Sequence, residues 1–353
     1  MKIFFSFFML LLLLNSCIKD APKNPEADIE SFNIPAELTT GATVIDQANR
    51  KILVYLTQEA YENGISPTLT LSKNARVSPA SGEKIIFTPG RTISYTVTAE
   101  RSENQKTYTL QVVNLGNWKF DFEHWQQHPT DKYEYPVEDD MSSVWSSGNQ
   151  GVAISGVPKE PGAYPTRSTT DGYLSTKAAE MVTIKGTALS AFVGIYLYAG
   201  SLFTGNFNPA VVLVNPLAAT EFGEPYQGLP DRFSGYYKYT PGAAYQDENQ
   251  NIIAGKTDEC SIYAVLFEGT ERLNGTNIAN SERIVARAVL ADGSMKADFT
   301  KFDLPFVYKT GWTAQPGTKL MLAIVASSSK EGDHYRGSLG SRLVIDHLSI
   351  QPK

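Results

Sequence analysis

The chain has 353 residues, 42% hydrophobic and 19% charged, a composition typical of soluble globular proteins and a length sufficient for two domains. Its 31 Lys and Arg residues against 37 Asp and Glu give a net charge of −6, and no basic stripe with interleaved aromatic residues is found, which argues against a nucleic-acid partner. The 18 Tyr and 17 Phe residues, together with many Thr, Val and Ile, favour strands over helices.

The N-terminal segment has the features of an export signal. Lys2 supplies a positive charge, and residues 3–14 form an apolar run that is too short for a membrane span of about 20 residues. The LNSC motif that ends at Cys17 resembles a bacterial lipobox, in which cleavage before the cysteine leaves that residue to carry a lipid. We therefore expect a signal peptide at residues 1–16, followed by a lipidated cysteine and a polar tether at residues 17–27. An ordinary secretory signal with a chance cysteine is the alternative.

The next segment, residues 28–114, contains short strand candidates separated by turn residues. The clearest two, Thr92–Glu100 and Lys106–Val113, alternate apolar and polar residues across the polar connection RSENQK, as a β-hairpin does. Strands at this spacing predict a small immunoglobulin-like sandwich. Because the segment gathers no cluster of titratable groups, we expect a spacer; docking of a partner on an edge strand is the alternative.

The remaining segment, residues 115–353, continues the β pattern with longer strands and aromatic-rich loops. Strand candidates include Val152–Ser155, Tyr173–Thr176 and Arg232–Tyr239, and neither a sustained helical period nor an internal repeat is found. This pattern predicts a two-sheet jelly roll. The expected fold class is therefore all-β, with an N-terminal immunoglobulin-like sandwich followed by a larger jelly-roll domain.

The C-terminal strand candidate contains a break in its apolar pattern. The apolar residues at positions 343 and 345 share one face of a strand, whereas those at positions 348 and 350 fall on the opposite phase, so the alternation slips at Asp346 and His347. A slip of one residue predicts a β-bulge, which re-aims a side chain. We expect this strand to pair with the segment NWKFDFEHW at residues 117–125, making them the last and first strands of one domain.

Seven sequence blocks, in order, carry a family resemblance. They are NWKFDFEHW, DGYLSTKAAEM, YAGSLFTGNF, DRFSGYYKYTPG, DECSIYAVLFEG, LPFVYKTG and VASSSKEGDHYRGSLGSRLVIDHLSI, and they span nearly all of residues 115–353. Together they resemble the putative carbohydrate metabolism domain of Gram-negative surface lipoproteins, a domain commonly preceded by an immunoglobulin-like module. The resemblance implies a jelly roll associated with glycan use, on an outer-membrane lipoprotein at the cell surface or the periplasmic face.

Polysaccharide recognition needs exposed aromatic rings for the apolar face of a sugar, with amides or charged groups around them for the hydroxyls. Trp145 lies in a Gly- and Ser-rich stretch and Trp312 beside turn residues, so we expect loop-borne indoles. In RFSGYYKY, at positions 232–239, alternation assigns Phe233, Tyr237 and Tyr239 to the core and turns the intervening side chains outward. The candidate carbohydrate-binding residues are Trp145, Asn149, Arg232, Tyr236, Trp312 and Arg336.

Acidic residues suggest two further kinds of site. Hydrolysis of a glycosidic bond would need two facing carboxyl groups, and the candidates are Asp121, Glu123, Glu331, Asp333 and Asp346, among which the sequence identifies no pair. In many jelly-roll sugar-binding modules a Ca²⁺ ion joins the first strand to the last. By that analogy Glu123 and Asp346 would hold a structural calcium ion; a pair of acids without a metal is the alternative.

We therefore expect a non-catalytic, lipid-anchored protein that binds an oligosaccharide or polysaccharide. A glycoside hydrolase or lyase that uses the carboxylates named above is one alternative. A structural subunit that contacts other envelope proteins through its sheet edges is another.

Overall fold

The structure, a computed structural model, describes residues 22–39, 41–47, 50–87, 93–113, 118–138, 143–212, 214–315 and 317–353. The expected signal peptide, Cys17 and the first part of the tether lie outside the described residues. Most regular structure is strand, as predicted. Within the ranges given above, no helix combines the length and apolarity that crossing a membrane would require.

The N-terminal part of the chain is a small β-sandwich. Its elements are β1 (Ile29–Asn33), β2 (Val44–Asp46), β3 (Lys51–Tyr55), α1 (Gln58–Asn63), β4 (Thr68–Leu71), β5 (Arg76–Ser78), β6 (Ile93–Thr98) and β7 (Gln105–Val113). Strands β1 and β4 pair with each other, and the other five form a sheet in the order β2-β3-β7-β6-β5. The predicted hairpin is confirmed, because β6 runs antiparallel to β7 with Tyr95 opposite Tyr108. Both tyrosines lie in a core that also holds Phe32 and Ile52.

The rest of the chain forms longer strands and short helices. Its first elements are β8 (Lys119–Phe120), β9 (His124–Gln127), β10 (Glu134–Val137), β11 (Trp145–Ser147), α2 (Asn149–Ile154), β12 (Thr166–Thr169), β13 (Ala178–Val182), β14 (Ile184–Lys185), α3 (Ala188–Ala191), β15 (Leu197–Tyr198), β16 (Ser201–Phe207) and α4 (Pro216–Ala219). They continue with β17 (Thr220–Phe222), β18 (Glu224–Tyr226), β19 (Pro230–Thr240), β20 (Tyr245–Gln246), β21 (Ser261–Glu268), β22 (Leu273–Asn274), β23 (Ile284–Val289), β24 (Lys296–Pro305), β25 (Val307–Tyr308), β26 (Leu320–Ser327), β27 (Gly337–Ser338) and β28 (Arg342–Pro352).

Two large sheets built from these strands enclose one core. The nine-stranded sheet has the order β22-β17-β16-β26-β21-β23-β25, with β11 paired to β16 and β18 paired to β26. The six-stranded sheet has the order β12-β13-β28-β19-β24, with β8 paired to β28. Side chains from both sheets interdigitate, such as Ile262 and Ile324 from the first and Phe233 and Leu343 from the second. This arrangement confirms the predicted jelly-roll class.

The C-terminal strand contains the predicted bulge. The register between β19 and β28 shifts between Asp346 and Ser349, and His347 has a left-handed backbone with φ 49°. The extra residue brings Leu348 back to the core that Ile345 also enters. The slip in the apolar pattern therefore marks a real irregularity in the strand.

The predicted pairing of the first and last strands is also confirmed. In the jelly roll β8 runs antiparallel to β28, with Phe120 opposite Leu348. Trp118, Phe120 and Phe122 are all buried in the shared core. The large rings of this segment thus pack inside the sandwich.

Two predicted strands are not strands. Residues 152–155 end the short helix α2, because the backbone N–H groups of Gly151 and Val152 turn back to the carbonyl of Gly148. Residues 173–176 form a loop between β12 and β13. The backbone N–H groups of Tyr173 and Thr176 donate to side-chain carboxylates, whereas in a strand they would donate to the neighbouring strand. Local apolar content alone did not distinguish these conformations.

The two sandwiches contact each other through a buried polar group. Arg272 Nη2 donates to Glu224 Oε1 at 2.7 Å and to the Tyr55 hydroxyl at 2.9 Å. The glutamate and the tyrosine are both buried. Nearby, a Cβ added to Gly41 would lie only 2.5 Å from Pro225 Cγ, so the two surfaces meet closely there.

Candidate functional site

The solvent-facing side of the six-stranded sheet, called here the outer face, carries the candidate site. Along β19, Phe233, Tyr237 and Tyr239 are buried in the core, as predicted. Tyr236 and Lys238 alternate with them and therefore point to the outer face. The predicted division of this strand into two faces is confirmed by the burial of its residues.

Two tyrosines stack on the outer face. The rings of Tyr236 and Tyr173 have centroids 3.7 Å apart and planes 15° apart. Phe299 and His347 approach Tyr173 edge-on, with centroid separations of 5.7 Å and 6.1 Å. The aromatic pair, Tyr173 and Tyr236, is partly exposed, so it offers apolar ring surface beside groups that can form hydrogen bonds.

Tyr173 belongs to residues 171–177, called here the strap, which cover the bulge of β28. Asp346 lies opposite Tyr236 and thus on the outer face, yet it is fully buried beneath the strap. Its Oδ2 accepts the Tyr173 backbone N–H at 2.8 Å and the Ser175 hydroxyl at 2.6 Å. Its Oδ1 accepts the backbone N–H of His347 at 2.7 Å. The bulge therefore aims a carboxylate at the strap.

A second carboxylate holds the other end of the strap. Glu123 Oε1 accepts the backbone N–H groups of Thr176 and Lys177 at 3.0 Å each, and its Oε2 accepts the Thr176 hydroxyl. Burial acts to raise the pKa of Glu123, but these hydrogen bonds outweigh it and hold the pKa below the ordinary value.

These contacts do not fit a calcium ion held by Glu123 and Asp346. The oxygens that would ligate the cation accept N–H and O–H donors from the strap. The part of the chain that the structure describes also has no group of three or more His, Cys, Asp or Glu side chains placed to share a metal. The strap itself makes the link that the calcium hypothesis assigned to an ion.

A row of charged side chains extends across the outer face from Asp171, the first residue of the strap. Glu180 is bound by Arg167 Nε at 2.6 Å and by Arg342 Nε at 2.5 Å. Asp171 is bound by Lys238 Nζ at 2.5 Å and by Arg342 Nη2 at 3.1 Å. Burial acts to raise the pKa of Asp171, but the hydrogen bonds from Lys238 and Arg342 outweigh it and lower the pKa. The row therefore presents paired charges at neutral pH.

The prediction that Trp145 lies on an exposed loop is wrong. Trp145 is in β11, paired with Thr204 of β16, and only 5% of it is exposed. Its indole packs against Phe120 and Phe122, with ring centroids 4.9 Å and 5.3 Å away. A ring enclosed in this way cannot provide a platform for a sugar. The small polar neighbours of Trp145 belong to a buried strand.

Asn149 is also unavailable to a ligand. It is fully buried at the start of α2, where its Nδ2 donates to the Thr166 carbonyl at 2.6 Å and its Oδ1 accepts the Thr166 N–H at 3.1 Å. This amide completes the backbone hydrogen bonds beside β12. The expectation that it is accessible to a sugar is therefore wrong.

The other candidate residues are more accessible but not all together. Arg232 shares β19 with Tyr236, and its Nε forms an ion pair with Asp303 at 2.6 Å. Trp312 is partly buried, stacks on Tyr308 and donates to Glu268 at 2.8 Å. Arg336 has a separate partner, Glu248, at 2.5 Å. Of the six candidates, the structure places Arg232 and Tyr236 on the outer face.

Among the candidate catalytic acids, Glu123 and Asp346 accept the hydrogen bonds of the strap, and the other three have different surroundings. Asp121 is exposed, Glu331 is bound by Lys256 at 2.7 Å, and Asp333 lies beside His334. Two other carboxyl groups, Glu224 and Asp258, have pKa values raised by burial. Both are buried, Glu224 against Arg272 and Asp258 beneath serine hydroxyls. In the Glu224 pair, burial acts to lower the Arg272 pKa, but the Glu224 carboxyl group outweighs it and raises the pKa, so the guanidinium stays charged.

Sequence reasoning missed the strap. The dipeptide Asp171-Gly172 is a typical turn signal and could have identified a loop there. Gly172 fits this tight turn because a Cβ would lie 2.4 Å from the Ser175 hydroxyl oxygen. No local signal indicates that Tyr173 stacks on Tyr236, since the two residues come from distant parts of the sequence.

Comparisons with known proteins place the chain in a family. Residues 121–351 match the family model described as "Putative carbohydrate metabolism domain", and residues 29–112 match the model described as "SGBP, N-terminal". A solved structure from Bacteroides thetaiotaomicron, described as a putative glycoside hydrolase, is 33% identical with a TM-score of 0.76, and the match covers 95% of this chain and 99% of that one.

A second solved structure, from Bacteroides vulgatus and also described as a putative glycoside hydrolase, is 33% identical with a TM-score of 0.61. The match covers 67% of this chain and 98% of that one. No curated protein matches the sequence significantly. The family model spans well over half of the chain, and the first of these structures matches nearly all of it. The chain therefore belongs to the family described as the putative carbohydrate metabolism domain.

Proposed function

We propose that this protein binds a glycan on the outer face of its six-stranded sheet, without cleaving it. The observation that carries the proposal is the partly exposed aromatic pair of Tyr173 and Tyr236, fixed in place by the strap and flanked by paired charges. An aromatic ring offers its face to the C–H surface of a pyranose, and nearby charged groups can bond the hydroxyls. Both family descriptions, carbohydrate metabolism and a surface glycan-binding N-terminal module, agree with this role.

Glycoside hydrolysis is the second candidate, because both solved relatives carry that description. It would require one carboxyl group held protonated beside the sugar and a second one ionised. On the outer face the pKa of Asp171 is lowered, and Arg342 bridges it to Glu180. The carboxyl groups with raised pKa identified above are buried elsewhere. These features favour binding over cleavage.

The first test compares Tyr236→Ala with the wild-type protein on a panel of polysaccharides. We expect the variant to lose about two- to tenfold in affinity, since a stacked ring contributes roughly 0.5–1.5 kcal/mol. Phe192→Ala is a matched control. Phe192 directly follows α3, its side chain is 88% exposed, and it is not one of the residues of the proposed site. Unchanged affinity in the Tyr236 variant would contradict the site, and release of reducing ends by the wild type would favour hydrolysis.

We also propose that Cys17 carries a lipid that anchors the protein to the outer membrane of a Gram-negative cell. The lipobox-like sequence before Cys17 supports the anchor, and the Bacteroides relatives support the cell type. Cys17→Ser should move the protein from the membrane fraction to the soluble fraction. Retention of the variant in the membrane fraction would contradict the anchor.

A further inference from the structure

Leu174, at the tip of the strap, is an apolar side chain directed into solvent. It is 91% exposed and directly follows Tyr173 of the aromatic pair. Full exposure of a leucine gives no stabilisation to the folded chain, because its apolar surface stays in water. A single exposed leucine is ordinary, so its position and backbone are what matter here.

The backbone of Leu174 is left-handed, with φ 53°. Residues other than glycine rarely adopt this conformation, and among them asparagine tolerates it better than leucine does. A strained residue persists only when its surroundings hold it, and strain of this kind concentrates at ligand sites. Leu174 therefore combines two features that stability alone would not select.

The strap fixes the direction of this side chain. The residues on either side of Leu174 are bound to one oxygen, because the Tyr173 N–H and the Ser175 hydroxyl both donate to Asp346 Oδ2. This oxygen belongs to a buried carboxylate at the bulge of β28. These bonds hold the backbone on both sides of Leu174 and so keep its exposed side chain at the tip of the strap that carries Tyr173.

We infer that Leu174 contacts the bound glycan and selects sugars that carry a methyl group. This inference rests on the proposed function. A sugar ring on the aromatic pair would bring its substituents toward the strap, where an isobutyl group favours methyl over hydroxyl. Two common sources of such a methyl group are an acetyl substituent and a 6-deoxy sugar. Removing contact with one methyl group changes affinity by up to about fourfold.

The experiment uses matched pairs of polysaccharides. Acetylated glucomannan and xylan are compared with the same polymers after mild alkaline deacetylation, and a fucosylated xyloglucan is compared with its counterpart that carries L-galactose, which has a hydroxymethyl group in place of the methyl group. Affinities of the wild type, Leu174→Gly, Leu174→Asn and Tyr236→Ala are measured by calorimetry or affinity electrophoresis. The wild type should prefer the methyl-bearing member of one pair by about two- to fourfold, and that pair identifies the source of the methyl group.

Both Leu174 variants should bind the two members of that pair equally, with a melting temperature equal to or above that of the wild type, since their backbones suit the left-handed turn. Asn keeps the strap less flexible than Gly, so agreement between the two variants separates lost contact from added mobility. Phe192→Asn makes the same apolar-to-amide change elsewhere and should keep the preference.

The outcomes separate the inference from the proposed function. A wild type that binds glycans without preference for either methyl-bearing form, or Leu174 variants that keep the preference, would overturn the inference alone. No binding to any polysaccharide by the wild type, or binding that Tyr236→Ala leaves unchanged, would overturn the proposed site and the inference with it.

Discussion

His347 shows how one residue shapes the site. Its left-handed backbone creates the bulge in β28, and its N–H and imidazole Nδ1 both contact Asp346 Oδ1, at 2.7 Å and 3.0 Å. The bulge turns Asp346 toward the strap and lets Leu348 return to the core. The backbone conformation at this position thus matters at least as much as the side chain.

Two substitutions at His347 separate backbone from side chain. His347→Gly should have a free energy of unfolding about 1–2 kcal/mol higher than that of His347→Val, because a β-branched residue is strained in the left-handed region. Both variants lose the imidazole contact, so the difference between their free energies of unfolding reports the effect of the backbone conformation. Urea denaturation measures it, and a Val variant as stable as the Gly variant would contradict this account of the bulge.

At the same scale, Asp346 and Trp145 show what sequence can and cannot predict. The bulge at Asp346 was predictable because a period of two leaves a visible slip in one strand. The burial of Trp145 was not, because the groups that cover it come from β8 and β16, and the small residues around it resemble a loop. Local composition carries no information about such distant partners.

At the scale of elements, the strap depends on ionised carboxylates. Glu123 accepts hydrogen bonds from the strap, and Asp171 anchors its first residue through Lys238 and Arg342. The pKa of Glu123 lies below its ordinary value of 4.5, and the pKa of Asp171 lies below its ordinary value of 3.8. A carboxyl group whose pKa is lowered in the folded protein stabilises the fold at pH values above its ordinary pKa. This stabilisation is lost as the pH falls through the lowered pKa. The strap should therefore remain attached across the neutral range.

We expect glycan affinity to stay constant from about pH 8 to pH 5 and to decline below about pH 4, as these carboxylates become protonated. The double variant Glu123→Gln, Asp171→Asn should bind more weakly at pH 7 and lose most of this acid dependence. Glu103→Gln, at an exposed ion pair with Arg101, is the control and should leave the profile unchanged. A loss of wild-type binding between pH 6 and 7 would disagree with this explanation.

The elements also show where the fold was predictable. Clean alternation identified β6, β7 and β19, because each buries one face. It failed at residues 173–176, where hydrogen bonds to Glu123 and Asp346 replace strand pairing. The site depends on that loop, so only part of the site could be predicted even though the fold class was.

At the scale of the whole molecule, the buried contact of Tyr55, Arg272 and Glu224 couples the two sandwiches. A buried ion pair adds little net stability over apolar packing, but removing one partner leaves an uncompensated charge in the interior. The contact therefore makes the relative position of the sandwiches costly to change.

Arg272→Ala should lower the free energy of unfolding by about 3–5 kcal/mol, because Glu224 loses its buried partner. Calorimetry should show one cooperative transition for the wild type and two for the variant, as each sandwich then unfolds separately. Arg101→Ala, which removes an exposed pair, should change the free energy by less than about 1 kcal/mol. An Arg272 variant that keeps one transition at unchanged temperature would show that other contacts join the sandwiches.

The position of β28 also has a consequence for biosynthesis. β28 follows every strand with which it pairs along the sequence, yet it lies inside its sheet, between β13 and β19, and it also pairs with β8. A nascent chain that ends before Arg342 lacks the strand to which three others attach, so this sheet cannot assemble until β28 has been synthesised. Until then, the partner strands keep unpaired edges, which leaves the unfinished sheet prone to aggregation.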